Sequence, residues 1–89
     1  MRQNPDFITR RIAGELLLVP IAHDAASLQG VLTFNEVGGR VWELLQECDS
    51  EEQIARRLTD EYDVTLAQAL EDVSELVGQL RQLNAVIDD

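Results

Sequence analysis

The 89-residue chain predicts an α+β fold in which three strands precede three helices. Three observations carry that expectation. Up to Phe34 the apolar residues alternate or run together, as they do in strands; from Asn35 onward they recur every three to four residues, as they do in helices. Two strand-like runs are separated only by Ala13-Gly14, the length of a tight turn. After residue 35, Asn, Ser and Thr stand where helix caps are needed. No repeat, low-complexity tract or Pro/Gly-rich linker divides the chain, so residues 1–89 read as one domain.

The first two strands are "FITRRIA", residues 7–13, and "ELLLVPI", residues 15–21, with Gly14 supplying the positive φ of a hairpin turn. Leu16-Leu17-Leu18-Val19 is apolar on both faces, which suits a central strand. Arg10 and Arg11 are charges of the kind that blunt an exposed edge. "AHDAASLQ" is a loop. The third strand, "VLTF" at 31–34, falls on the opposite edge and has no such guard.

Asn35 caps the first helix, and Glu36 sits in its first turn, where the helix dipole favours an anion. Val37, Val41, Leu44, Leu45 and Cys48 share one face. Gly38 and Gly39 each cost on the order of 1 kcal/mol inside a helix, so the pair predicts close approach of another backbone or, more plainly, a locally weak helix start. The second helix is capped by Asp49 or Ser50 and turns Ile54, Ala55, Leu58 and Tyr62 to the core. Thr65 caps a third helix running to about Leu83, with Asn84 at the position that commonly turns left-handed. Its apolar residues cover an arc of about 140°, where a surface helix needs about 100°. One flank holds Leu70 and Val77 beside Arg81; the other holds Leu76 and Leu83 beside Asp72. Either flank can be left uncovered, or neighbouring elements can cover both. The elements in this order make a winged-helix-like layout.

The net charge is −10, and all seven basic residues are arginines. Such a surface repels phosphate backbones and anionic lipid heads. No apolar run reaches the roughly 18 residues of a membrane span, and "MRQNPDF" does not resemble a signal peptide, so a cytoplasmic location is expected. One His and one Cys cannot build a metal centre, and no phosphate-binding glycine loop occurs. His23 reads as a solvated loop residue and Cys48 as a small core residue. The chain is therefore expected to be no enzyme and to hold no cofactor.

Two other readings stay open. Asp49-Ser50 resembles the start of the attachment motif of acyl or peptidyl carrier proteins, but Glu51 stands where those have an apolar residue. "SEEQIARRL" resembles the opening of a helix–turn–helix DNA reader, in which Arg56-Arg57 could touch phosphate, but the third helix offers Glu71, Asp72, Glu75 and three Gln instead of a basic face.

The third strand poses a physical question. Its backbone N–H and C=O groups on the open side need a partner, and an extended peptide can supply one by adding as a fourth strand. A homodimer across that edge, or a strand simply kept short, is the plainer answer.

The residues "F-N" at 34–35, "G-x-x-V-W-x-L-L" at 38–45, "I-x-x-x-L" at 54–58, "Y-x-V" at 62–64, "D-V-x-x-L" at 72–76, Leu80 and "V-I" at 86–87 resemble the PqqD family, over roughly residues 7–87. The chain has Cys48-Asp49 and Asn84 at two turns where that family favours Gly. The resemblance implies a peptide chaperone, or RiPP recognition element. Such a protein binds the leader of a ribosomally made precursor peptide and presents it to a radical S-adenosylmethionine (radical SAM) maturase. It implies a leader paired with the third strand and packed on the third helix. In this chain the expected edge is Val31, Leu32, Thr33 and Phe34, the expected apolar floor Leu70, Val73 and Val77, and Arg81 is expected to steer an acidic stretch of leader. Trp42 and Asp72 match the family pattern; Trp42 is expected in the core and Asp72 as a helix-face or capping carboxylate. Neither nucleic acid nor membrane is an expected partner, and the protein is expected to be a monomer or a homodimer.

Overall fold

In the computed structural model, which describes residues 1–21 and 32–88, Ala13 and Gly14 reverse the chain with φ of 52° and 84°. Two consecutive left-handed residues are the signature of a type I′ turn, whose twist matches the strands it joins. Those strands are β2 (Phe7–Ile12) and β3 (Glu15–Pro20), which follow a short β1 (Arg2–Gln3). After the undescribed segment come β4 (Leu32–Phe34), three helices and β5 (Val86–Ile87). Val31 and the expected loop with His23 lie outside the described residues.

The main sheet has the order β2-β3-β4, all antiparallel. The apolar β3 is central, as its composition predicts, and β4 is an edge. Leu16 and Leu18 face the helices together with Leu32 and Phe34, which pair with them across the ladder in the order Leu18↔Leu32 and Leu16↔Phe34. Leu18 is wholly buried and Phe34 nearly so.

Each helix start is capped as the residue types require. Asn35 Oδ1 accepts from the Gly38 N–H at 2.7 Å and opens α1 (Glu36–Leu44). Ser50, not Asp49, caps α2 (Glu51–Glu61); its Oγ accepts from the Gln53 N–H at 3.2 Å, while Gln53 Oε1 reaches back to the Asp49 N–H at 2.7 Å. Thr65 Oγ1 accepts from the Gln68 N–H at 3.1 Å and opens α3 (Leu66–Gln82). That helix ends with Asn84 left-handed at φ 64°; the Ala85 N–H bonds the Leu80 carbonyl at 2.8 Å and the Asn84 N–H bonds the Arg81 carbonyl at 3.0 Å. This is a Schellman ending, with Leu80 and Ala85 both fully buried beneath it.

Three details depart from the sequence expectation. Helix α1 stops at Leu44, but turns bonded back to Glu43 and Leu44 still carry Cys48 into the core. The Gly38-Gly39 pair answers to side chains rather than to backbone: a Cβ on Gly39 would lie 2.8 Å from Leu16 Cδ2, and one on Gly38 would lie 3.2 Å from a Phe34 ring carbon. The two chain ends also form a ribbon, β1 with β5, in register Arg2↔Ile87 and Gln3↔Val86. Gln3 extends it by donating from Nε2 to the Trp42 carbonyl at 2.6 Å.

The core is one continuous cluster lined by β3, β4 and all three helices. Trp42 belongs to it, with its ring centroid 6.1 Å from that of Phe34.

Candidate functional site

The hairpin register decides which way the β4 backbone points. In a two-residue hairpin the residues flanking the loop, here Ile12 and Glu15, form a hydrogen-bonded pair, and bonded and non-bonded pairs then alternate. Leu17 accordingly bonds Arg10, whereas Leu16 and Leu18 turn their N–H and C=O toward β4. Two observations agree with that parity. Pro20, which has no N–H, falls in a non-bonded pair with Phe7, and the Ile21 N–H donates to the Asp6 carbonyl at 2.6 Å, in step with the bonded pairs. On β4, Leu32 and Phe34 therefore bond β3. Thr33, opposite Leu17, directs both its N–H and its C=O away from the sheet. Its side chain is exposed as well.

An open groove of about 1130 Å³ runs beside this edge. Leu32, Thr33 and Phe34 form one side, the start of α1 lies along it, and one face of α3 forms the far wall. That wall consists of Asp72, Glu75, Leu76 and Gln79, spaced so that they share one side of the helix. Leu76 is the apolar contact, half-buried against the core. Arg11 and Glu15 stand at the hairpin end.

The structure places the expected apolar floor and Arg81 away from this groove. At about 100° per residue, Leu70, Val77 and Arg81 point to the opposite side of α3 from Asp72, Glu75 and Leu76. Val73 and Val77 have no exposed surface, and Leu70 is half-buried against the core away from the groove. Arg81 does not face the groove. Its guanidinium grips both carboxylate oxygens of Asp88, at 3.0 and 3.1 Å, and reaches Glu51 at 3.5 Å. Hydrogen bonding to Arg81 holds the Asp88 carboxyl below the usual carboxylate range. The reason is packing: α2 and β5 cover the Leu70–Val77 flank, and the flank bordered by Asp72 is the one left facing β4. Of the residues singled out in sequence, Leu32, Thr33 and Phe34 line the groove, while Leu70, Val73, Val77 and Arg81 do not. Leu76 stands on the other flank named in sequence, beside Asp72, but neither it nor Glu75 or Gln79 is among the expected site residues. The surplus width of the apolar arc signals a free flank without saying which one.

A second ion pair lies at the α1 side of the groove. Arg40 of α1 donates to both oxygens of Glu61, at 2.7 and 2.8 Å, and approaches Glu43 at 3.4 Å. The Arg40 hydrogen bond holds Glu61 below its ordinary range, and the pair ties α1 to the end of α2. Among the described residues no group of three or more His, Cys, Asp or Glu is placed to hold a metal ion, and no helix is long and apolar enough to cross a membrane.

The sequence pattern of the family described as coenzyme PQQ synthesis protein D (PqqD) matches residues 16–86. The chain belongs to the PqqD family. Two solved structures share the fold of this PqqD-family protein. One is TbiB1 in complex with the TbiA(beta) leader peptide, with a TM-score of 0.74 and 21% identity, covering 99% of this chain and 100% of that one. The other is lasso peptide synthetase B1 complexed with the leader peptide, with a TM-score of 0.71 and 21% identity, covering 94% and 92%. No curated protein matches the chain. The PqqD match spans β3 through β5 and so includes both sides of the groove.

Proposed function

We propose that this PqqD-family protein is a non-catalytic adaptor that binds the leader of a ribosomally made precursor peptide and presents it to a modifying enzyme. The leader adds as a fourth strand on β4. Thr33 supplies the outward N–H and C=O, Leu32 and Phe34 hold the strand in register, and Leu76 receives an apolar leader side chain. The observation that carries this reading is the Thr33 backbone, unpaired among the described residues, beside an open groove walled by α3. Main-chain bonds give affinity in such a site, and alternate side chains give specificity. Two proteins of the same fold, each held in complex with a leader peptide, support it.

The partner enzyme is a radical SAM maturase, as PqqD resemblance implies, and the complex forms in the cytoplasm. A second partner class has its own support: one of the two similar structures is a lasso peptide synthetase B1 complexed with the leader peptide, so an enzyme of lasso peptide formation is the alternative. DNA binding finds no cationic surface on α3, whose groove face carries Asp72 and Glu75.

The test is a pull-down of tagged protein from its native cells, read by mass spectrometry for peptides as well as proteins. A short precursor peptide with a radical SAM enzyme is the expected result. Co-purification with DNA-associated proteins and no peptide would overturn the adaptor reading, and a lasso-forming enzyme would replace the partner alone.

A further inference from the structure

We propose that the peptide segment seated in this groove is basic, with Lys or Arg beside an apolar residue. The inference rests on the strand-addition reading and names the chemistry of its ligand. Among the described residues, five carboxylates line the groove, from Glu15, Glu36, Glu43, Asp72 and Glu75, against two guanidiniums, from Arg11 and Arg40. The Arg40 charge is already answered by Glu61 and Glu43. Arg11 stands at the hairpin end. Across from β4, Asp72 and Glu75 flank Leu76 with no cation on that wall. Glu36 and Glu75 make no ion pair or side-chain hydrogen bond with any described residue, and Asp72 accepts only from Gln68, at 2.9 Å.

A strand added to β4 turns every second side chain toward this wall. An apolar side chain meets Leu76. A Lys or Arg two residues away can lay its methylene stem along the same surface and carry its charge to Asp72 or Glu75. An Asp or Glu there meets like charges in a concave site that focuses their field. This reverses the acidic leader expected when Arg81 was placed at the groove.

The whole protein carries −10, so any cationic peptide is attracted to some degree, and the test must separate the groove from the rest. Random dodecapeptides displayed on their own messenger RNA are selected on the full chain at low salt. Enriched sequences should carry more Lys and Arg than Asp and Glu, and Thr33→Pro should weaken their binding by roughly 30- to 150-fold. Asp72→Asn with Glu75→Gln should weaken a selected peptide by about two- to fivefold per carboxylate removed. Glu52→Gln with Asp60→Asn, which removes the same charge from α2 outside the groove, should not.

A neutral or acidic pool that still depends on Thr33 overturns the basic ligand and leaves strand addition standing. Equal weakening by the groove and α2 variants does the same, because attraction is then global. Binding indifferent to Thr33→Pro in a folded variant, or a selection that enriches nothing, overturns strand addition and this inference together.

Discussion

Thr33→Pro removes one backbone N–H and changes little else. Thr33 pairs with Leu17 in a non-bonded position, so that N–H makes no bond within the sheet. Proline keeps the residue before it extended, which suits Leu32 in a strand. The fold should persist with a small loss of stability. The complex should suffer more. One net hydrogen bond is worth about 0.5–1.5 kcal/mol, and leaving the peptide carbonyl buried without a donor costs about 1–3 kcal/mol. Taken together, a loss of about 2–3 kcal/mol is expected, which is roughly 30- to 150-fold in Kd. Fluorescence anisotropy of a labelled leader peptide measures it, with circular dichroism to check the fold. Thr33→Val, which keeps the N–H, should bind within about twofold of the native protein. A folded Thr33→Pro protein with native affinity would refute the register argument that aims Thr33 outward.

Four further outcomes follow from the packing. Ala13→Asn should raise stability by about 0.5–1 kcal/mol, seen as roughly 3–6 °C in Tm, because Ala13 is left-handed at 52° and Asn tolerates that region better. Leu76→Ala should weaken leader binding with only modest destabilisation, whereas Val77→Ala should destabilise by about 2 kcal/mol in urea melts and leave the affinity of the folded protein unchanged. Arg81→Glu should lower Tm, by placing a third carboxylate beside Asp88 and Glu51, and leave the peptide on-rate at low salt unaltered. Asp88 and Glu61 both have folded pKa values below their ordinary ones, so their contribution is present above the unfolded pKa and lost as pH falls through the folded one. Asp88→Asn with Glu61→Gln should therefore flatten the acid limb of a Tm-against-pH profile and leave the alkaline limb unchanged.

Much of the fold was legible because local chemistry and tertiary packing agree. The Ala13-Gly14 turn, the doubly apolar β3, the caps Asn35, Ser50 and Thr65, and Asn84 at the end of α3 all stand where the residue types require. The β1–β5 ribbon was not legible, since two-residue strands carry no periodicity and their pairing joins opposite ends of the chain. The site divides in the same way. The open edge at Leu32–Phe34 could be read from strand order and from the missing guard charges. The wall could not, because a helix whose apolar arc is too wide presents two equivalent flanks until its neighbours choose. Here α2 and β5 take the Leu70 side and leave Leu76. The same choice turned Arg81 from an expected groove residue into a brace for the chain end.

Amide hydrogen exchange at Thr33, measured with and without bound leader peptide, bears most directly on strand addition at β4. Free protein should exchange that amide quickly while Leu32 and Phe34, bonded to β3, exchange slowly. Saturation with peptide should bring Thr33 down to the rate of its neighbours. Fast exchange at Thr33 in a saturated complex would mean that the peptide binds without joining the sheet.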